Sequence, residues 1–213
     1  MLVATAVVAA VAVPAARARP VATSRVLAVV IGVTYAVEHG DFIAREDWEA
    51  DFNLPLHLTD AVTLVSVAAL WTARPLLVEL TYFWGLTASL QAVITPDLGS
   101  AAYPDLLFWT FFVTHGGAVT AALVLVVGRR IVPRPGAVRR VFGITAGFAV
   151  LAGVGNLITG GNYMFLREKP SAATLLDVMG PWPVYILVAA ALGLALFALL
   201  DLPFRRGRGA PVG

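Results

Sequence analysis

Four side chains in the central part of the sequence could do chemistry together. The string LPLHLTD carries His57, Thr59 and Asp60, and a later apolar run carries His115. A hydroxyl such as that of Thr59 becomes a nucleophile when a neighbouring histidine accepts its proton. His57 and Asp60 stand three residues apart and would share one face of a helix, where a carboxylate can orient an imidazole. His57, Asp60 and His115 are ionisable groups in apolar surroundings, where each of them is costly, so the three together indicate a function.

The elements that must position these side chains are unusually apolar. The chain has 213 residues, of which 59% are hydrophobic and 13% charged, and its mean hydropathy is +0.84. An ordinary soluble domain is about 45–50% apolar, so this composition excludes a soluble globular domain, a disordered protein and a nucleic-acid binder. The sequence contains no cysteine, which excludes disulfides, thiolate metal sites and a cysteine nucleophile.

Seven apolar segments are candidates for crossing a membrane. A spanning helix needs roughly 20 residues, and its backbone groups must be satisfied within the segment. The predicted spans are 2–16, 24–38, 54–73, 75–95, 106–128, 139–159 and 183–203. We therefore predict an all-α polytopic membrane protein, a bundle of about seven transmembrane helices that forms a single integral membrane domain over residues 1–213.

The distribution of basic residues predicts how this bundle is oriented. With the N-terminus outside and the C-terminus cytoplasmic, only Arg45, Arg167 and Lys169 lie outside. The other twelve of the fifteen basic residues fall in cytoplasmic segments: Arg17, Arg19, Arg25, Arg74, Arg129, Arg130, Arg134, Arg139, Arg140, Arg205, Arg206 and Arg208. Such an excess is the positive-inside pattern.

Polar side chains inside spans need a partner or a function, because an ionisable group there costs about 2.5–3.5 kcal/mol. The predicted orientation places several of them in the outer half of the bundle, which suggests a polar cavity open to the outer leaflet. At 1.5 Å per residue, Thr59 would lie about 8 Å and His115 about 14 Å below the starts of their helices. A simple cross-helix hydrogen bond is the alternative explanation for each uncharged residue. The candidate binding residues are His57, Gln91, Asn156, Asn162 and Tyr163.

Two further carboxylates lie near the predicted cytoplasmic ends of their spans. Glu79 follows the start of the fourth span, and Asp201 lies near the end of the seventh. We expect them to pair with neighbouring arginines, either Arg74 or the pair Arg205 and Arg206.

Five strings carry a resemblance to a known family. LPLHLTD, ELTYFWGLTASLQAVITPDL, FFVTHGG, NYMFLREKP and LLDVMGPWPVYIL, all within about residues 50–190, resemble the bacterial YwaF-like integral membrane proteins. That family is distantly related to the transmembrane protein 164 family. The resemblance implies a multi-pass protein of a bacterial plasma membrane, with membrane lipids as its partners.

The same resemblance implies a chemistry. The eukaryotic relatives are described as phospholipid acyltransferases with a cysteine nucleophile and a histidine, and the related androgen-induced lipid hydrolases use threonine and histidine. His115 would be that histidine, and Asp60 is a candidate acid partner for it. Thr59 stands where the bacterial motif, usually LPLHLCD, has its cysteine, so the resemblance implies an intramembrane lipid hydrolase or acyltransferase with a Thr/His pair.

Three other interpretations stay open at this point, one of them a purely structural subunit, against which the polar cluster in the outer half is the main evidence. The protein could be a non-enzymatic carrier or binding protein whose polar cavity holds a small solute or a lipid headgroup, although the odd span count and the lack of a repeat argue against a secondary transporter. A zinc site made of His57, Asp60 and His115 ranks third, because no helix supplies two closely spaced histidines. We expect no cofactor, no bound metal and no nucleic-acid partner.

Overall fold

A computed structural model describes residues 1–99 and 101–208, and the described chain folds into seven long helices and two short 3₁₀ helices, Tyr163–Phe165 and Leu175–Val178, without strands. Five of these helices, α2 and α4 to α7, are long and apolar enough to cross a membrane, whereas α1 and α3 are shorter apolar helices. The helices are α1 Leu2–Ala18, α2 Pro20–Ala44, α3 Leu58–Thr72, α4 Pro75–Ile94, α5 Leu106–Gly128, α6 Ala137–Thr159 and α7 Val184–Arg208.

Each predicted span corresponds to one helix, but the ends of three helices differ from the prediction by four residues or more; the last of them, predicted over 183–203, continues to Arg208. The helix predicted over 24–38 begins at Pro20, a residue suited to the first turn of a helix, and continues to Ala44. The helix predicted over 54–73 begins only at Leu58, because the backbone of His57 is extended with ψ 145°. Thr59 therefore lies in the first turn of α3, about 1.5 Å from its start rather than about 8 Å. Which side of the membrane each terminus occupies stays a prediction.

The core of the bundle lies around α5, which packs against α1, α2, α3 and α4. The close contact between α4 and α5 requires glycine at position 85, since a Cβ there would lie 2.9 Å from the carbonyl oxygen of Ala118. Helices α6 and α7 pack against each other at the edge of the bundle. Helix α7 reaches the core through α4, where the rings of Phe83 and Phe197 lie 5.2 Å apart and Tyr82 donates a hydrogen bond to the Leu200 carbonyl at 3.1 Å.

Glu79, near the start of α4, and Asp201, in α7, were both predicted to pair with arginines. The structure corrects the predicted partner of Glu79 and confirms that of Asp201. Glu79, which is 1% exposed, pairs with Arg134 and Arg140 rather than with Arg74 or the C-terminal arginines. The Nε of Arg134 and the Nη2 of Arg140 donate to Glu79 Oε1 at 2.8 and 2.9 Å. Asp201 pairs with Arg205 at 3.1 Å, as predicted. The loop between α5 and α6 folds back over α4, and this fold, not sequence proximity, selects the partners of Glu79.

We expect Glu79→Gln to destabilise the protein by about 3 kcal/mol, the lower part of the range for breaking a buried ion pair. The amide would keep an acceptor but would lose the charge that holds two arginines. Thermal unfolding in detergent measures the effect. Glu46→Gln, at an exposed position, is the control and should stay within about 0.5 kcal/mol of wild type. Equal melting temperatures for the two variants would contradict the role assigned to Glu79.

Candidate functional site

The hydrogen bonds of His115 determine which of its ring nitrogens can act as a base. Nδ1 lies 2.7 Å from the carbonyl oxygen of Phe111, one helical turn earlier. A carbonyl can only accept, so Nδ1 carries the proton of the neutral ring, and the lone pair is on Nε2. The ring also stacks on Phe111, with centroids 4.1 Å apart. Among the described residues Nε2 has no hydrogen-bond partner. The imidazole of His115 is thus held by its own helix through Nδ1, and the lone pair of Nε2 remains available to accept a proton.

Thr59 lies on the inward face of α3. It shares a stripe with Thr63 and Ser66, which follow it by four and seven residues and are 2% and 0% exposed. The Thr59 carbonyl accepts a hydrogen bond from the Thr63 hydroxyl at 2.8 Å. Its own hydroxyl makes no hydrogen bond in the described part of the chain, with His115 or with any other residue. Since α3 packs directly against α5, the two side chains belong to neighbouring helices but do not bond to each other in this structure.

Asp60 has surroundings that differ from those expected of an acid partner for His115. Its carboxylate lies beside the backbone amide of His57 and near enough to Glu38 for the two charges to interact. The position that such a partner would take on His115, at Nδ1, belongs to the Phe111 carbonyl. Asp60 therefore stands at the N-terminus of α3, where a carboxylate is electrostatically favourable.

Three of the candidate binding residues join the predicted outer loops to each other. Tyr163 is 0% exposed, and its hydroxyl donates to the Ala50 carbonyl at 2.8 Å and accepts from the Leu54 amide at 2.9 Å. Asn156 holds the backbone of Tyr163 through two hydrogen bonds of 3.1 and 2.6 Å. His57 accepts a hydrogen bond from the Met164 amide at 3.3 Å. Burial raises the pKa of the Tyr163 hydroxyl, so that it stays protonated and able to donate. We call this group the outer-loop clamp.

The other two candidate binding residues lie apart from these. Asn162 organises its own loop, since its side chain accepts from the Arg167 and Glu168 amides and donates to the Glu168 carbonyl. Gln91 donates to the Thr95 hydroxyl at 2.7 Å, at an exposed position near the end of α4. Binding roles for all five residues stay predictions, and the observed contacts of four of them hold loops.

Tyr163→Phe should destabilise the protein by roughly 1–3 kcal/mol, because the Leu54 amide would lose its acceptor within a half-buried loop. The expected result is a lower melting temperature and faster proteolysis between residues 45 and 57. Tyr103→Phe removes a hydroxyl from a side chain that is 69% exposed and should change neither quantity. Identical proteolysis of wild type and Tyr163→Phe would show that the clamp does not hold this loop.

A cavity of about 390 Å³ opens on the predicted outer side, between the end of α2 and the start of α5. Its lining includes Glu38, Asp41, Arg45 and Thr110, and none of the residues predicted for the site. A smaller cavity of about 230 Å³ includes Asn162 in its lining. Glu38 was not among the site residues predicted from the sequence. An ionisable residue at the end of an apolar span is a signal that could have identified it.

The lining of the larger cavity does not include His115, but its lining residue Thr110 lies on the same helix as His115. Thr110 lines the cavity and lies beside Glu38, and its carbonyl accepts a hydrogen bond from the Thr114 hydroxyl at 2.8 Å. The Thr114 hydroxyl is in turn 3.3 Å from Nδ1 of His115. His115 follows Thr110 by five residues, which is about 7.5 Å along a helix axis. These hydrogen bonds are local to α5, and His115 lies further along this helix than the cavity lining.

Metal binding finds no support in this arrangement. Among the described residues no group of three or more histidine, aspartate and glutamate side chains could hold a metal ion. The Nδ1 atoms of His57 and His115 are both occupied by backbone groups. These observations give no support to a zinc site made of His57, Asp60 and His115.

Fold and site together define a polytopic helical membrane protein that buries ionisable side chains among its apolar helices. The chain matches the TMEM164 family over residues 1–201, and it belongs to that family. This match confirms the relationship to the transmembrane protein 164 family that the motifs predicted. No curated protein and no solved structure matches the chain.

Proposed function

We propose that this protein is an intramembrane acyl-transfer enzyme, a lipid hydrolase or acyltransferase, in which Thr59 is the nucleophile and His115 the general base. The observation that carries the proposal is the hydrogen bond of His115 Nδ1 to the Phe111 carbonyl, which leaves Nε2 basic. The unbonded hydroxyl of Thr59 on the neighbouring helix supplies a nucleophile for this base. Catalytic hydrogen bonds are often long without substrate and tighten in the complex.

The reaction would take place in two balanced steps. Thr59 Oγ1 attacks the carbonyl carbon of a lipid ester while Nε2 of His115 takes the hydroxyl proton. The tetrahedral intermediate collapses, the lipid alcohol leaves with that proton, and an acyl-threonine ester remains. Water or an acceptor alcohol then attacks this ester, gives its proton to His115, and releases the acyl product as Thr59 regains its hydroxyl proton. The free amides at the N-terminus of α3, where Thr59 lies, favour the negative charge of each intermediate.

The proposal also covers the subfamily of this protein, its membrane and its partners. The motifs support a bacterial YwaF-like member of the family, placed in a plasma membrane with its N-terminus outside and organised as a single domain over residues 1–213. Membrane lipids would be its partners. Asp60 would position the start of α3 through its contact with the backbone amide of His57, and the outer-loop clamp would hold that start in place.

The proposal is tested by incubating the purified protein with vesicles of phosphatidylethanolamine and phosphatidylglycerol. Lysolipid and free fatty acid, or acyl transfer to added lysolipid, should appear over time. Mass spectrometry of the quenched protein should find an acyl group on the peptide that contains Thr59. A folded protein that produces neither lipid product nor adduct would contradict the proposal.

A second candidate function is a non-enzymatic carrier or binding protein for a small solute or a lipid headgroup. The observation that favours it is the cavity of about 390 Å³, whose lining combines Glu38, Asp41 and Arg45 with apolar side chains. This function predicts that a headgroup compound such as phosphoethanolamine raises the melting temperature without any turnover. Turnover with a Thr59 adduct would instead favour the enzyme.

A further inference from the structure

The ring of His57 differs from that of His115 in which nitrogen carries the proton. The backbone amide of Met164 donates to Nδ1 of His57 at 3.3 Å. A backbone amide can only donate, so Nδ1 holds the lone pair and Nε2 carries the proton of the neutral ring. In the described part of the chain this Nε2 proton has no acceptor. One histidine therefore offers a base, and the other offers a hydrogen-bond donor.

The His57 ring is held in its orientation by contacts with the segment from Tyr163 to Phe165. Its centroid lies 5.2 Å from that of Tyr163 and 5.4 Å from that of Phe165. Met164 and Phe165 both have left-handed backbone, with φ of 56° and 53°, a conformation that costs non-glycine residues energy and often occurs at functional sites. The strained segment at Met164 and Phe165 therefore sets the direction of the Nε2–H donor of His57, and no residue in the described chain accepts a hydrogen bond from it.

The position of this donor relates it to the proposed nucleophile. His57 is the N-cap residue of α3, and Thr59 follows it by two residues at the same helix end. His57 is also near enough to His115 for their charges to interact. A donor in this place would add to the free amides of the first helical turn.

From these observations we infer that Nε2–H of His57 donates a hydrogen bond to the substrate carbonyl oxygen as that oxygen becomes an oxyanion. The inference rests on the proposed function. When Thr59 Oγ1 bonds to the carbonyl carbon, the π pair moves to oxygen and the hydroxyl proton goes to His115. His57 keeps its proton throughout and supplies only the hydrogen bond. Loss of one oxyanion donor typically lowers kcat about 10²–10³-fold.

Two substitutions at position 57 separate this role from a purely structural one. In His57→Asn the side-chain oxygen can still accept from the Met164 amide, but no donor extends to the place of Nε2. In His57→Gln the longer side chain can put its NH₂ group near that place, while the acceptor for Met164 is lost. With p-nitrophenyl decanoate as the acyl donor, we expect kcat to fall about 100-fold or more in His57→Asn. His57→Gln should stay within about tenfold of wild type, because it keeps the donor.

A second measurement does not depend on how much of each variant folds. The thionoester analogue of p-nitrophenyl decanoate has sulfur in place of the carbonyl oxygen, and sulfur is a weak acceptor. We expect wild type to prefer the oxygen ester, in kcat/KM, by a ratio that falls about tenfold or more in His57→Asn. An unchanged ratio, or an active His57→Asn beside an inactive His57→Gln, would overturn the inference and leave His57 as a loop contact.

The failure of the proposed function looks different from the failure of this inference. If wild type neither hydrolyses the ester nor carries an acyl group on Thr59, the proposed function fails and the inference fails with it. If wild type turns the ester over through Thr59 and both His57 variants match it in rate and in oxygen-to-sulfur ratio, only the inference about His57 fails.

Discussion

Thr59→Ala should abolish acyl-enzyme formation and lower ester turnover by roughly 10⁴-fold or more, since removing the nucleophile eliminates most of the acceleration in hydroxyl-based enzymes. The substitution should leave the fold intact. The Thr59 hydroxyl makes no hydrogen bond in the described chain, so its loss leaves no buried partner unsatisfied. The measurement is the rate of p-nitrophenol release, together with mass spectrometry of the peptide around residue 59.

Two further variants on the same helix show what this result means. Thr59→Ser keeps a hydroxyl and should retain measurable turnover and a serine adduct. Thr72→Ala removes a threonine hydroxyl that bonds to the Ala68 carbonyl at 2.7 Å, near the other end of α3, and should behave as wild type. Full turnover in Thr59→Ala would exclude Thr59 as the nucleophile, whatever the other variants do.

His115→Asn should lower turnover by roughly 10²–10⁴-fold, the usual contribution of a general base. Asparagine can replace the Nδ1–H donor with its own NH₂ group and keep the bond to the Phe111 carbonyl. It cannot supply a basic nitrogen in the place of Nε2. The folded state should therefore survive while proton transfer is lost. The rate of Thr59 acylation in a single turnover measures the loss directly, without a contribution from product release.

The chain contains a closely matched control for this substitution. His39 has Nδ1 at 3.2 Å from the Tyr35 carbonyl, one turn earlier, and its ring centroid is 4.2 Å from that of Tyr35. The same local geometry thus occurs on α2, at a residue that lines neither cavity. His39→Asn should leave single-turnover acylation unchanged. Equal losses in the two variants would mean that His115→Asn acts through helix stability and not through proton transfer.

The residues at the centre of the proposed chemistry were identified from sequence, but their chemical states were not. Thr59, His57 and His115 stood out because polar groups in apolar runs are costly and therefore need a reason. The protonated nitrogen of each histidine depends on the backbone group it meets. For His115 that group is one turn away in its own helix, whereas for His57 it is Met164, 107 residues later.

The larger cavity of the structure opens at the end of the bundle that was predicted to face outside, but none of the predicted site residues lines it. The sequence placed polar residues of α3 to α6 around it, yet the lining comes from the end of α2 and the start of α5. Asn156 and Tyr163 instead form hydrogen bonds with each other, and the Tyr163 hydroxyl also donates a hydrogen bond to the Ala50 carbonyl. Side chains that look free in a sequence can be satisfied by loops that fold back, and a sequence does not show which loops do so.

By itself, the sequence determined the membrane class, the seven helices and most of their ends, because apolar length is a local property that the bilayer and the backbone both require. Only the tertiary structure decided the partners of Glu79, the clamp around Tyr163 and the free nitrogens of the two histidines. Apart from the His115 bond within its own helix and the bonds between Asn156 and Tyr163, each of these contacts joins residues 55 to 113 positions apart. Contacts at such separations follow from how helices pack, and packing depends on all seven at once.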